Sequence, residues 1–387
     1  MQANFTFYNP TKLYFGKTAI DGLDKELPKY GKTVLLVYGG GSIKQNGVYD
    51  AVVAKLKEHK KTIVEDSGVM PNPTIAKMQG GIALAKKHKA DLVLAVGGGS
   101  VVDYAKALAS LAYESGDLWQ RFFVNSEPVT QKNIPLGVVL TMVGTGSEMN
   151  GGSVVSNAEL TQKLAYMFNA ERYPKFSILN PEFTFSCSQY QMTAGIFDIF
   201  SHILEQYFSG GNSTTDYLAE ALLKSLIESA LVAVKNHTDY SARANIMWTS
   251  TWALNTLLSR DKPGDWNVHQ IAHGVAAVTD ATHGMALAAL SLPYYNWLMD
   301  ANLGQFARFA KNVFYVDAKG NSDKQIADEG LMALKDFMQK LGLVLNLGKL
   351  GATIDNLPQM LAATHINNSG YKVPTLDDVK AILEKAM

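Results

Sequence analysis

The sequence predicts an α/β N-terminal domain built on a parallel sheet, followed by an all-α helical bundle. Three observations predict this. In the first half, short β-branched runs alternate with helical patterns, as in successive βαβ units. The runs are almost continuously apolar, as strands are when helices cover both faces of their sheet. After about Cys187 the β-branched runs disappear, and long amphipathic segments separated by Gly, Asn and Pro take over.

In chain order, Lys12–Phe15 reads as a short strand and Thr33–Tyr38 (TVLLVY) as the first long one. A helix from about Tyr49, a strand Thr62–Glu65, a helix after Pro73, and strands Asp91–Val96 (DLVLAV) and Leu136–Leu140 follow. Such a sheet is Rossmann-like. The helical half shows amphipathic stretches at Thr215–Val234, Ala242–Leu258 and Asp323–Leu341. Periodicity breaks between Asn180–Pro181 and Ser188, which sets expected domains at 1–185 and 186–387.

The chain has 387 residues, 47% of them hydrophobic and 18% charged, with 35 basic side chains against 35 acidic ones. Chains beyond roughly 250–300 residues usually form more than one core, and small ligands tend to bind where domains meet. Zero formal charge without a basic run leaves no electrostatic footprint for nucleic acid or an anionic membrane. Cys187 is the only cysteine, which removes internal disulfides and thiolate metal clusters and suits a reducing compartment. No signal-like start or run of ~18–20 apolar residues is present, so a cytosolic (cytoplasmic) protein without a membrane partner is expected.

Three glycine-rich turns follow strands. Gly97-Gly98-Gly99-Ser100 opens a helical pattern containing Asp103 and Lys106, where glycines let backbone N–H groups approach a pyrophosphate at a helix N-terminus. The spacing is not G-x-G-x-x-G, and such a turn is also compatible with a purely structural role. Thr141 to Glu148 (TMVGTGSE), with Thr145 inside it, follows the strand ending at Leu140; an ordinary polar loop is the alternative reading. Gly39-Gly40-Gly41-Ser42 ends the strand Thr33–Tyr38. An acidic residue at such a strand end commonly binds the ribose 2′-OH of NAD. None occurs between Gly39 and Tyr49, while Ser42 and Lys44 suit a phosphate, so the turn points to NADP(H).

The histidines carry a further signal. His269, His273 and His283 fall within fifteen residues of one another, and His202 lies four residues after Asp198. Residues i and i+4 share a helical face, so each pair can reach one point. Imidazole nitrogens with a carboxylate suit a divalent transition metal that keeps one position open. Taken singly, such pairs are also common as surface hydrogen bonds, and a lone histidine is often a core residue. His59, His88, His237 and His365 receive no role.

The segments GGGSVVDYAK (Gly97–Lys106), TMVGTGSE (Thr141–Glu148), FDIFSH (Phe197–His202) and His269-x3-His273-x9-His283-Gly284 together resemble the iron-containing (group III) alcohol dehydrogenases, which share the dehydroquinate synthase-like fold. PTKLYFGK (Pro10–Lys17), VYGGGSIKQNG (Val37–Gly47) and PNP (Pro71–Pro73) resemble more narrowly the NADPH-dependent butanol dehydrogenase and broad-range aldehyde reductase branch. The resemblance implies a metal held by Asp198, His202, His269 and His283, with His273 near the substrate. It also implies cofactor contacts at Gly40, Asn72, Gly98, Gly99, Ser100, Thr141, Thr145 and Lys163. The NAD-using branch carries Asp where Gly40 stands. Met142 and Val143 replace smaller residues usual in their turn, and Phe197 stands where a smaller residue is common, which suggests a narrowed pocket or a place beside the substrate.

The expected activity is reversible hydride transfer between NADP(H) and a small aldehyde or primary alcohol, with Fe²⁺ as the metal, Zn²⁺ as a substitute, and a homodimer as the assembly. Alternatives within the fold are glycerol dehydrogenase-like, glycerol-1-phosphate dehydrogenase-like and dehydroquinate synthase-like proteins. A phosphorylated substrate needs a cationic pocket, and only Arg260 and Lys262 lie near the histidine segments. A metal-dependent hydrolase would leave the three glycine turns without a function, and a non-catalytic nucleotide-binding protein would leave the histidine set without one.

Overall fold

A computed structural model describes residues 4–210 and 214–387. The chain divides into two compact units, Tyr8–Cys187 and Ser188–Met387, the latter joined by the N-terminal segment that ends at Phe7.

The first unit is a six-stranded parallel sheet with a two-stranded antiparallel hairpin. Its strands are β1 (Lys12–Phe15), β2 (Thr33–Tyr38), β3 (Thr62–Asp66), β4 (Leu92–Gly97), β5 (Leu136–Leu140) and β8 (Phe176–Leu179), and β6 (Gly152–Asn157) pairs with β7 (Gln162–Met167). The sheet order is β1-β8-β5-β4-β2-β3. Its middle is buried on both faces: Val34, Leu35, Leu36 and Val37 have no exposure, nor do Leu92, Val93, Leu94 and Ala95. Each such Val or Leu side chain contributes roughly 1.5–3 kcal/mol on leaving water, which explains the unbroken apolar runs.

Helices α1 (Gly22–Glu26), α2 (Ser42–Gln45), α3 (Val48–Glu58), α4 (Ile75–Lys87) and α5 (Gly99–Leu111) accompany the sheet. Val48, Val52 and Leu56 of α3 pack with Leu36 and Leu94 on one face. The central helix α5 is buried from Val101 to Leu111. The hairpin β6–β7 and strand β8 were outside the sequence expectation. The hairpin is one-sided, short and polar at its turn, and so lacks the apolar runs that mark the central strands. β1 pairs in parallel with β8 of its own chain and forms one edge of the sheet.

The second unit is helical: α6 (Gln189–Tyr207), α7 (Thr214–Lys235), α8 (Tyr240–Ala253), α9 (Asn267–Thr279), α10 (His283–Leu298), α11 (Leu303–Phe314), α12 (Asp323–Lys340), α13 (Leu357–Ala363) and α14 (Leu376–Ala386). Several starts are capped by side chains. Ser188 accepts from Gln191 N, Asp239 from Ala242 N, and Ser322 and Thr375 form capping boxes. The expected helix Ala242–Leu258 stops early, at Ala253. Leu254 leaves the helical region, the Asn255 side chain accepts from Leu257 N, and Thr256 takes a positive φ of 76°. No helix among the described residues is long and apolar enough to cross a membrane.

Candidate metal centre and dinucleotide turns

The chain runs from β2 outward to β3 and then returns to place β4 on the other side of β2. The strand order reverses there, and ligands of such sheets bind outside the carboxyl ends of the strands at that point. Gly39–Ser42 follows β2, Gly98–Ser100 follows β4, which ends at Gly97, and Thr141–Ser147 follows β5 beside it. Thr141 N donates to Gly97 O at 2.9 Å. A Cβ added at Gly99 would lie 2.4 Å from Thr145 Cγ2, and one at Gly98 would lie 3.0 Å from Met142 Cβ. The two turns therefore touch, glycine alone fits at 99, and Met142 fills the space over Gly98. At Gly40 and Gly41 a Cβ would meet nothing within 4 Å, so the third turn faces open space. Ser42 opens α2, and Ser100 lies in the first turn of α5.

Two further expected cofactor residues meet each other: Lys163 Nζ donates to Asn72 Oδ1 at 2.7 Å, with Asn72 in the left-handed region. Asp103 is engaged within the fold. Its Oδ1 accepts from Ser147 Oγ at 2.5 Å and its Oδ2 from Val154 N at 2.9 Å. Lys106 Nζ donates to Ser147 Oγ, Asn150 Oδ1 and Gly152 O at 2.7, 3.1 and 2.7 Å. Burial raises the pKa of Asp103 and pushes Lys106 down to about 8. This buried pair braces the glycine turn 144–147 and the start of the hairpin against α5. Sequence reasoning noted Lys106 but did not foresee the bracing through Ser147.

In the helical unit, α6 carries Asp198 and His202 on one face, α9 carries His269 and His273, and α10 begins at His283. Asp198 Oδ1 lies 3.6 Å from His202 Nε2, 3.5 Å from His269 Nε2 and 3.7 Å from His283 Nε2. For ligand bonds of about 2.1 Å, the edge of a tetrahedral donor set is about 3.4 Å. The three distances from Asp198 Oδ1 are near that edge, and the ligand-atom cluster that closes within 4.8 Å comprises Asp198, His269 and His283, without His202. His273 sits one step away, its ring stacked on that of His283 with centroids 5.3 Å apart.

Two local features bring α10 to α6 and α9. Asp280 closes α9 in the left-handed region, so that α10 begins within three residues. A Cβ at Gly284 would stand 2.0 Å from Ala194 O of α6, so α10 reaches contact with α6 only through a glycine. Phe197 does not narrow a pocket: it is fully buried and stacks on Phe200.

Sequence reasoning missed Glu205. It follows Asp198 by seven and His202 by three, which puts it on the same helical stripe, and that spacing was the available signal. Fully buried, Glu205 bonds His269 Nδ1 through Oε1 and accepts from Val268 N and His269 N through Oε2 at 2.9 and 3.3 Å. A carboxylate on the second ring nitrogen fixes the tautomer and orientation of a metal-binding imidazole. Burial alone would lower the pKa of His269, but the charge of Glu205 and hydrogen bonds with Asp198 and Glu205 outweigh it and raise the value to about 9.

Asp265 is a second buried acid near this site. Its Oδ1 accepts from Tyr294 OH at 2.7 Å and from Asn267 N and Nδ2 at 3.1 and 3.0 Å. Burial, then the nearby charge of Glu205, push its pKa from 3.8 up to about 7.

A parallel sheet with glycine and hydroxyl turns at its carboxyl edge, joined in one chain to three histidines gathered around one buried carboxylate, is the arrangement of a class of metal-dependent, dinucleotide-using enzymes. The chain belongs to the iron-containing alcohol dehydrogenase family. Residues 10–181 match the iron-containing alcohol dehydrogenase family, and residues 192–387 match the C-terminal region of the Fe-containing alcohol dehydrogenase family. The chain is 41% identical to the probable NADH-dependent butanol dehydrogenase 2 of Bacillus subtilis, over 99% of this chain and 100% of that protein. It is 34% identical to the NADPH-dependent aldehyde reductase YqhD of Escherichia coli, over 92% of each. Among solved structures, the NADH-dependent butanol dehydrogenase A of Thermotoga maritima superposes with a TM-score of 0.94 at 35% identity, covering 100% of this chain and 99% of that one. The names of these relatives divide between NADH and NADPH. Membership of this family sets aside the hydrolase and non-catalytic alternatives.

The raised pKa of Asp265 has a thermodynamic consequence. An acid whose folded-state value is raised contributes its full stability below the unfolded value, near 3.8, and loses it as pH rises through about 7. Asp265→Asn in metal-stripped protein should therefore raise the unfolding free energy at pH 8 by on the order of a few kcal/mol, and the thermal midpoint with it. The advantage should disappear near pH 4. Thermal melts across that range check this, and an equal effect at both pH values would mean that the substitution only disturbs hydrogen bonds.

Proposed function

We propose that the protein interconverts small aldehydes and primary alcohols, such as butanal and butanol, with NADP(H), using one divalent metal held by Asp198, His202, His269 and His283. Fe²⁺ is the expected ion, and Zn²⁺, higher in the affinity order, is an effective substitute. The observation that carries the reading is the convergence of three imidazole nitrogens within 3.5–3.7 Å of one buried carboxylate oxygen. Relatives named for butanol and aldehyde support the substrate class.

When bound, the cation supplies Lewis acidity toward the carbonyl or alcohol oxygen, and the nicotinamide supplies or receives the hydride. The chain's own groups do the rest. Glu205 holds His269 in one tautomer. The N–H groups at the start of α5 offer an N-terminal anion site for a pyrophosphate, and Gly99 with Thr145 sets how closely the two turns approach it. Lys163 and Asn72, bonded to each other, add a polar contact for the cofactor. The absence of an acidic side chain at 39–42 and the open space at Gly40 support the phosphorylated cofactor. His273, buried beside His283, is placed to pass a proton to or from the substrate oxygen through water.

Initial rates of NADPH and NADH oxidation with butanal test this reading, on protein stripped of metal and reloaded anaerobically with Fe²⁺ or Zn²⁺. The expected outcome is a metal-dependent rate that favours NADPH. A rate favouring NADH would keep the chemistry and discard the reading of Gly39–Ser42, and no rate with either would overturn the proposal. His273→Ala should lower kcat by about 10²-fold while metal content, measured by elemental analysis, stays at the wild-type level. Parallel loss of both would make His273 a ligand.

The protein is further proposed to be a homodimer. β1 is an edge strand, and Phe15 at its end and Tyr8 ahead of it are exposed at 41% and 64%, apolar surface that a second copy would cover. Light scattering at micromolar concentration should give twice the chain mass of 42.1 kDa, and a monomer would exclude this.

A further inference from the structure

Beside the Gly39–Ser42 turn lies a nook with two aromatic walls and one acidic wall. Lys44, on α2, places its ammonium 4.6 Å from the ring centroid of Tyr49, 5.0 Å from that of Tyr38, and 3.8 Å from Glu65 Oε2. Glu65 lies on β3 opposite Leu36 of β2, so its side chain emerges on the same face as Tyr38, two residues further on. Tyr49 OH donates to Glu65 Oε1 at 2.5 Å, and Tyr38 OH donates to Oε2. These two phenol hydrogen bonds hold the Glu65 carboxylate below the usual range, so it is ionised at neutral pH. The only cation of the turn thus rests over two π-faces and against a carboxylate, while Gly40 and Gly41 look into open space.

We propose that Glu65 is a specificity-determining residue for the dinucleotide: by holding Lys44 against Tyr38 and Tyr49, it withholds the ammonium from a ribose 2′-phosphate and limits discrimination in favour of NADP(H). The inference rests on reading Gly39–Ser42 as the adenosine-ribose site. The effect is selective by charge. A phosphate monoester carries about −1.5 to −2 charges near pH 7. It gains from an available ammonium and loses from a nearby carboxylate, whereas the 2′-hydroxyl of NAD is neutral and feels neither strongly. Lys44 and Glu65 are 48% and 39% exposed, so solvent screens their pairing, and a phosphate can compete for the lysine.

Calorimetry with 2′,5′-ADP and 5′-AMP reads the phosphate preference without the nicotinamide or the metal, and Michaelis constants for NADPH and NADH on the metal-loaded enzyme read it in turnover. Glu65→Gln should tighten 2′,5′-ADP and lower the NADPH KM by roughly three- to tenfold, with 5′-AMP, the NADH KM and kcat within about twofold of wild type. Lys44→Gln should weaken 2′,5′-ADP relative to 5′-AMP by about tenfold. In the Lys44→Gln background, Glu65→Gln should bring no further gain. Tyr49→Phe, which removes one of the phenols restraining Glu65, should give a smaller change of the same sign and stands in if Glu65→Gln does not fold.

The inference is overturned if Glu65→Gln shifts both nucleotides alike, or if its gain survives without Lys44, which would mean direct repulsion. It is distinguishable from the cofactor reading itself. A wild-type enzyme that prefers NADH but gains NADPH affinity on Glu65→Gln would uphold the restraint and refute the NADP(H) preference. A wild-type enzyme that prefers NADPH, with no selective response to Glu65→Gln, would do the reverse.

Discussion

One carboxylate oxygen organises the helical unit. Asp198 Oδ1 is buried, and three imidazole nitrogens from two other helices and its own approach it at almost equal distances. A buried carboxylate is costly unless it is paired, so α6, α9 and α10 must meet here with little tolerance. Gly284 gives α10 its contact with α6, because any side chain there would collide with Ala194 O and carry His283 away from Asp198. Asp280, left-handed at the end of α9, turns the chain quickly enough for His269 and His283 to face the same point. Interior helices transmit small displacements, so an error of an ångström at any of these positions would be felt at the donor set.

The same region concentrates negative charge. Asp198, Glu205 and Asp265 are all buried, and they are compensated mostly by histidines and by hydrogen-bond donors rather than by lysine or arginine. In the metal-free chain His269 holds a proton up to about pH 9, and that proton occupies the ring of a residue proposed to donate to a cation. Proton loss at His269 and metal uptake are therefore one linked equilibrium. Glu205 acts on both sides of it. Its charge raises the proton affinity of the ring, and its bond to Nδ1 leaves Nε2 aimed at Asp198.

Much of this was legible in the sequence, and the parts that were share a cause. Continuous apolar runs located β2, β4 and β5 because strands buried on both faces have no alternation to obscure. The i,i+4 spacing of Asp198 and His202 placed both on one face of α6, since helical periodicity fixes a shared face. Illegible were features that depend on what another segment brings. The hairpin β6–β7 carries no burial signature of its own, and α8 ends at Ala253 because Asn255 and Thr256 adopt local turn geometry that the apolar pattern through Leu258 overruled on paper. Phe197 looked like a pocket residue from its place beside Asp198. On a helix, however, the preceding position points about 100° away, here into the aromatic core with Phe200.

The glycine turns extend this distinction to chemistry. Their existence is local, because glycines after a strand announce a close approach. Their selectivity is not local. Gly99 is obligatory only because Thr145, forty-six residues later, packs where a Cβ would stand. The turn at 144–147 keeps its shape through Asp103 and Lys106, which reach it from the far side of Ser147. The same holds at the first turn. A search for an acidic residue between Gly39 and Tyr49 finds none, yet the ammonium of that stretch already faces an acid that β3 carries in. Absence of a carboxylate from a motif is therefore not absence of its field. Where neighbouring parallel strands end together, the charge that a ligand meets is set by the register between them, and here Glu65 opposite Leu36 brings a negative charge to a turn whose own residues have none.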